Sequence, residues 1–418
     1  MDSQKSLEYL SGLKQRGIRL GLGPLTSLLG RFDNPQRSYK SILIAGTNGK
    51  GSVASILSSI LEKEGLKVGL FTSPHLVDFK ERIRINGVMI SHDELCRLID
   101  DVRKRDEGDV TYFEFSAALA FLYFSLCQVD IAVLEVGMGG RLDATNLVTP
   151  EVSIITNIAL EHSKYLAKNL RSIAGEKGGI IKKGGTCITA VRKGSALETL
   201  EMICDTRGAA LYRLGRDFKV RRRERGRFSY YGIGKILRDV SIGLMGRHQR
   251  ENAALAMAAV EIIASKGLKI GDESVIHGVR DAKWEGRLEI VNTSPPIILD
   301  GAHNPAGIAA LCRVLSSELS FNRLTVIFGV LSDKDYKAML RRLSLIADRL
   351  ILTGIREERA LDPKDLEPIA RLYNDNVEVV RDSREAVSRA LEISGSDDLI
   401  CIAGSLYLVG EIKRRSLF

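Results

Sequence analysis

Two patterns alternate along this chain: short continuous apolar runs, and longer stretches whose apolar positions recur every three or four residues. The runs at 42–45, 67–71, 131–135 and 153–156 read as buried strands of a parallel sheet. Between them lie helical stretches. In 52–62, Val53, Ile56, Leu57, Ile60 and Leu61 fall on one face. The stretch 111–126 is almost wholly apolar, and 246–263 opens polar and turns apolar. Residues 3–14 form an amphipathic helix, and 186–244 reads as strands and turns around one helix at 196–206. Beyond residue 297 the alternation resumes, with strands at 324–328, 349–353, 377–380 and 399–403 separated by helical stretches. The expectation is an α/β protein. An N-terminal domain with a mostly parallel sheet (1–288) is followed by a linker at 289–296, ending in Pro295 and Pro296. A smaller C-terminal Rossmann-like α/β domain (297–418) comes last.

The segment between the first strand and its helix carries the strongest chemical signal. Gly46, Thr47, Asn48, Gly49, Lys50 and Gly51 lead into Ser52. Glycines let backbone N–H groups approach an anion, the helix start adds oriented donors, and Lys50 supplies a full charge. Ser52 offers a hydroxyl to a magnesium ion. The usual phosphate loop has Ser or Thr directly after the lysine and an earlier first glycine; here Gly51 intervenes and Ile44 stands in that glycine's place. An ordinary glycine turn with a solvated lysine is the alternative. Other polar residues follow strand ends, where open α/β sheets bind ligands: Ser73, Pro74 and His75 after 67–71, and Glu135 closing 131–135. A carboxylate at that position beside a phosphate loop can hold Mg²⁺, so the N-terminal domain is expected to be of the P-loop ATPase type.

Composition narrows the class. The chain has 418 residues, 44% hydrophobic and 27% charged, which suits a soluble protein of two or three domains. No apolar run approaches the ~20 residues needed to span a bilayer, and the N-terminus lacks a signal pattern, so a cytoplasmic protein with no membrane partner is expected. Six scattered cysteines with no CxxC pair argue against disulfides and a cysteine metal site. The net charge of +9 has its densest basic run at 219–227. It reads as a twisted surface hairpin with solvated arginines, and no nucleic-acid partner is expected.

With these stretches in hand, AGTNGKGS (45–52), FTSPHLVDFKERIRING (71–87), FEF (113–115), GMGGRLDATN (137–146), HQREN (248–252), WEGR (284–287), DGAHNP (300–305), FGVLSDKD (328–335) and GSLYLVGEI (404–412) stand in order. Together they resemble the folylpolyglutamate synthase/dihydrofolate synthase branch of the Mur ligase superfamily, over residues 16 to 412. The resemblance implies ATP-dependent ligation of L-glutamate to dihydropteroate and to reduced folates through an acyl phosphate. A monofunctional folylpolyglutamate synthase and another Mur-type ligase are the alternatives, and a nucleic-acid-stimulated ATPase is the remote one.

It further implies ATP held by residues 46–52, Asn252, Arg287, Asp300 and His303, lying between the two domains. Two Mg²⁺ ions are implied at Ser73, Glu135, His162 and Lys177, the last carried as a carbamate. A folate site is implied at Pro74, Phe113, Gly140, Arg141, Asp143 and Thr145. Lys50, His162, Lys177 and Arg287 are the implied catalytic residues, and a monomer the implied state. Carbamylation needs a neutral amine, which burial or nearby cations favour. Glu161, Ala167 and Gly178 depart from the family's usual Asp, Gly and Ala near these positions.

Overall fold

The computed structural model describes residues 3–17, 19, 21–160, 169–224 and 226–414. Two compact units emerge. The first gathers Met1–Pro74, Phe79–Gly243 and Gln249–Lys283; the second gathers His75–Asp78, Leu244–His248 and Trp284–Phe418. Among the described residues no helix is long and apolar enough to cross a membrane.

The first unit is built on eight strands: β1 (Lys40–Ala45), β2 (Val68–Phe71), β3 (Ile83–Ile85), β4 (Val88–Met89), β5 (Ile131–Glu135), β6 (Val152–Ile155), β7 (Thr186–Thr189) and β8 (Ala210–Arg213). They lie in the order β4-β3-β2-β5-β1-β6-β7-β8. All neighbours from β2 to β8 are parallel, while the pairs β2–β3 and β3–β4 are antiparallel, so β3 alone is reversed. Strands β1, β2, β5 and β6 are buried almost throughout, as expected of sheet covered by helices on both faces.

Register decides where the site falls. Ile44 pairs with Glu135 and Ala45 with Ile155, while Phe71 pairs with Leu134. Four adjacent parallel strands therefore end level, and the loops carrying Gly46, Ser73, Glu135 and Thr156 leave from one sheet edge. Helix Lys50–Lys63 follows β1 and buries Val53, Ile56, Leu57, Ile60 and Leu61. Helix Tyr112–Leu126 starts on a reciprocal cap: Thr111 Oγ1 accepts from the Glu114 N–H, and Glu114 Oε2 accepts from the Thr111 N–H.

The basic run forms the expected hairpin. Strand β9 (Lys219–Arg222) pairs antiparallel with β10 (Phe228–Tyr231), and β11 (Ile236–Val240) completes a three-stranded sheet in the order β11-β10-β9.

The second unit departs from expectation at its start. Residues 289–296 are no linker. Strand β12 (Glu289–Thr293) pairs antiparallel with β13 (Pro296–Leu299), and both belong to a six-stranded sheet. Two adjacent prolines suggest a connector, yet Pro295 sits in the turn and Pro296 opens β13, where a missing N–H is tolerated. The division between units falls earlier, at Lys283/Trp284, and two short upstream segments join the second unit. Strands β14 (Leu324–Phe328), β15 (Arg349–Leu352), β16 (Val377–Val379) and β17 (Leu399–Ala403) complete the order β12-β13-β17-β14-β15-β16, parallel from β13 onward.

Candidate functional site

The glycine loop after β1 is drawn tight against β6. Gly46 has φ 144° and Gly49, which precedes helix Lys50–Lys63, has φ 87°. Both are conformations that glycine alone adopts readily. A Cβ on Gly46 would lie 1.9 Å from Thr156 Oγ1, and one on Gly49 2.6 Å from Asn252 Oδ1. The loop is held by the two residues that follow β6. The Thr47 N–H donates to Asn157 O (2.9 Å), the Asn48 N–H to Asn157 Oδ1 (2.9 Å), and Asn157 Nδ2 and Thr156 Oγ1 both donate to Asn48 O (2.9 and 2.7 Å).

Two lysines far apart in sequence converge on this loop. Lys50 Nζ donates to the carbonyls of Gly46 and Thr47 (3.1 Å each). Lys177 Nζ donates to the same Gly46 carbonyl at 2.9 Å, and its side chain is only 2% exposed. Lys177 arrives near the end of helix Leu170–Gly178, which starts on Asn169 with Oδ1 accepting the Ser172 N–H. Glu135 is buried at the same sheet edge, and its Oε2 accepts the Ser73 N–H at 3.1 Å. Ser52 Oγ accepts from Gln249 Nε2 (3.3 Å), and Gln249 Oε1 accepts from Asn252 Nδ2 (2.8 Å). The polar start of helix Arg247–Ser265 thus meets the first turn after the glycine loop. His162 lies outside the described residues.

The loop 137–146 packs beside these groups. The Phe113 ring covers Gly137 so closely that a Cβ there would lie 2.4 Å from the ring. Gly140 abuts the Glu176 carbonyl, and Arg141 pairs with Glu176 Oε1 (2.9 Å) while its N–H donates to Glu176 O (2.8 Å). Asp143 turns inward. It accepts from the Met138 N–H (2.9 Å), the Thr145 N–H (3.0 Å) and Thr145 Oγ1 (2.5 Å). Burial raises the Asp143 carboxyl above its ordinary range, and these donors oppose the rise. With Thr145 fully buried as well, these two side chains hold the loop's shape, while Phe113, Gly140 and Arg141 form its outer contacts. Pro74 follows Ser73 through a cis peptide bond.

Arg287, Asp300 and His303 come together within the second unit. Asp300 closes β13 and is buried; it accepts the N–H groups of Leu288 and Ala302 (2.9 Å each). Burial raises its carboxyl, and the Arg287 charge opposes that. His303 Nδ1 sits 2.8 Å from Gly301 O, and Asn304 caps helix Pro305–Ser317 by accepting the Gly307 N–H (2.8 Å). His248 belongs here too: burial first, then Arg287 and Arg313, depress its imidazole to about 4, so it is neutral near pH 7.

The expected residues in the first unit thus gather at one sheet edge, and those in the second cluster around Asp300. Three contributors escaped the sequence reading as site residues: Thr156, Asn157 and Gln249. Thr-Asn directly after a buried strand was the available signal for the first two.

Comparison with known proteins agrees with this layout. Residues 44–260 match the Mur ligase middle domain, and residues 286–406 match the glutamate ligase domain of Mur ligases. The chain is 35% identical to the dihydrofolate synthase/folylpolyglutamate synthase of Bacillus subtilis, covering 99% of this chain and 98% of that protein. It superposes on Mycobacterium tuberculosis folylpolyglutamate synthase complexed with ADP with a TM-score of 0.92 and 32% identity, over 100% of this chain and 99% of the other. It superposes also on the bifunctional folylpolyglutamate synthase/dihydrofolate synthase of Yersinia pestis complexed with AMPPNP and Mn ion, with a TM-score of 0.88 and 28% identity, over 100% and 98%.

Proposed function

Since the chain belongs to the dihydrofolate synthase/folylpolyglutamate synthase family of ATP-dependent Mur ligases, we propose that it joins L-glutamate both to dihydropteroate and to reduced folates. The observation that carries this reading is the glycine loop, with the amines of Lys50 and buried Lys177 on one carbonyl and Glu135 at the same sheet edge.

The residues suit a reaction that asks for positioning and charge neutralisation. Backbone N–H groups of Gly49, Lys50 and Gly51 receive phosphate oxygens of ATP. Lys50 leaves the Gly46 and Thr47 carbonyls to meet the terminal phosphates. The pterin or folate carboxylate attacks the γ-phosphorus, releasing ADP and forming an acyl phosphate. The uncharged amino group of glutamate then attacks the acyl carbon; phosphate departs, a proton is lost, and the amide remains. Arg287 offsets charge on the transferring phosphoryl oxygens. Asp300, His303 and Asn252 position the nucleotide, and Phe113, Pro74, Gly140 and Arg141 bound the pterin end, with Asp143 and Thr145 shaping their loop.

The donor set fits Mg²⁺, a hard cation that prefers oxygen ligands. Glu135 and the hydroxyls of Ser52 and Ser73 would hold it, with His162 and a carbamate on Lys177 completing a two-ion set. Such ions would neutralise phosphate charge. Capture of CO₂ requires an uncharged Lys177 amine. The reading includes a monomer acting in the cytoplasm.

The test is phosphate release by the purified protein with MgATP and L-glutamate, adding dihydropteroate to one sample and tetrahydrofolate to another. Release with both is expected. Release with tetrahydrofolate alone would make it a dedicated polyglutamate synthase, and release with neither would overturn the folate reading. A parallel sample in CO₂-free buffer is expected to lose activity and regain it with bicarbonate.

A further inference from the structure

The ligase reading gives no role to the three-stranded sheet β9–β10–β11. Residues 219–240 contain eight Lys and Arg against two Asp and Glu, so this short stretch supplies a net +6 of the chain's +9. Strand register sorts its side chains. Lys219 pairs with Tyr231 and Arg221 with Ser229, which places these residues on one face; Val220 pairs with Tyr230 on the other. Arg223 Nε donates to Ser229 Oγ (3.0 Å) and so lies over the first face. Arg238 alternates with buried Leu237 and joins it. Lys219, Arg221, Arg223 and Arg238 are all exposed. The ion pairs of this sheet go elsewhere, Arg227 to Asp239 and Lys235 to Asp272; none of the four forms an ion pair with a described residue.

Cations massed on one face repel one another and attract a polyanion. A second copy of the chain would bring the same charge and is disfavoured. A single-stranded nucleic acid would want an open aromatic ring for base stacking. Here the Tyr231 ring is already covered by Arg221 at 5.1 Å and Lys219 at 5.7 Å. Guanidinium groups suit carboxylates, which they engage through paired N–H donors. We infer that this face binds the γ-linked polyglutamate tail of the enzyme's own product, an inference that rests on the ligase reading.

Spacing supports it. Side chains two apart on a strand stand about 6.7 Å apart. A γ-linked glutamate runs through five backbone bonds and repeats its free carboxylate roughly every 6 Å. A tail whose backbone turns its free carboxylates to one side can therefore meet Lys219, Arg221 and Arg223 in turn. The sheet is also tied to the site. Glu261, on helix Arg247–Ser265, accepts from Tyr230 Oη (2.6 Å) and from the N–H groups of Ile233 (3.2 Å) and Gly234 (2.7 Å). The same helix reaches Ser52 through Gln249, twelve residues and about 18 Å away along its axis. The cationic face lies on the side of the sheet away from Tyr230 and this helix, so a tail reaching it from the site is longer than the roughly three γ-linked residues that would cover about 18 Å.

Binding of fluorescent penta-γ-glutamate to the full chain, without ATP or folate, tests the inference separately from ligase activity. The wild type is expected to bind it more tightly than di-γ-glutamate, and less tightly as salt rises. The R221Q/R223Q/R238Q variant is expected to lose about tenfold in affinity, while R221K/R223K/R238K, which keeps the charge, retains most of it. Addition of the first glutamate should be unchanged in both. Equal binding by the wild type and the Gln variant would overturn the inference. Tighter binding of a five-nucleotide single strand than of the peptide would also overturn it and make the face a nucleic-acid surface. If the peptide binds as expected but no glutamate is ever ligated, the tail-binding face stands and the ligase reading falls.

Discussion

At the residue scale, the glycine loop tolerates almost no added atoms. Gly49 combines a left-handed φ of 87° with an Asn252 side chain where its Cβ would stand. Gly49→Ala is expected to displace the loop by a fraction of an ångström to an ångström and cut ATP turnover by about 100-fold. Phosphate release and nucleotide affinity check this; unchanged turnover would mean the loop does not cradle phosphate. His248 makes a different prediction. Its folded value, about 4, lies below the ordinary 6.5. The unfolded chain therefore binds the extra proton first, and stability present above pH 6.5 is lost as pH falls toward 4. His248→Gln is expected to flatten that slope by on the order of 3 kcal/mol. The check is denaturant unfolding of both proteins at pH 4.5, 5.5 and 7. Burial of Asp143 and Asp300 acts in the opposite sense, since their raised values make stability fall as pH rises through their own range. The variant and wild type share that background.

At the element scale, β14 and β17 were legible to the residue, because five buried apolar positions in a row leave no ambiguity. The hairpin β12–β13 was not. Ile290, Val291 and Thr293 have strand character, but the proline pair after them signals a connector more loudly than three β-branched residues signal a strand. Strand β4 has two residues and no pattern to detect. The site divided the same way. Glycines and a lysine between strand and helix announce themselves locally, whereas the hydrogen bond from Gln249 to Ser52 joins residues 197 apart and leaves no trace in spacing. Only the motif resemblance made HQREN stand out. Helix Arg247–Ser265 carries this scale's prediction. Glu261 alone accepts three hydrogen bonds from the three-stranded sheet, so Glu261→Ala is expected to cost about 2 kcal/mol. Hydrogen exchange should quicken in 228–240 and stay slow in β1 and β5. Uniform loosening of both regions would show that the sheet is not an independently held element.

At the scale of the whole molecule, the second unit takes His75–Asp78 and Leu244–His248 from within the first, and the rest from Trp284 onward. Within that unit Arg414 Nη2 donates to Val77 O (3.0 Å), and a Cβ on Gly410 would collide with the Leu76 carbonyl at 2.0 Å. A protein truncated after residue 283 is accordingly expected to expose both borrowed segments; proteolysis near 75–78 and 244–248 should exceed that of the full chain. Failure to see new cuts there would mean those segments need no partner. The arrangement also sets a clock during translation. At ~5–20 residues per second, ribosomes need on the order of ten seconds to extend the chain from Lys283 to Arg414. For that interval a nearly finished first unit carries two strips of sequence whose partners do not yet exist. Arg414, made 337 residues after Val77, is the one that closes on it. Nascent chains of this protein are thus most exposed to chaperones and proteases late in synthesis, at sites laid down early.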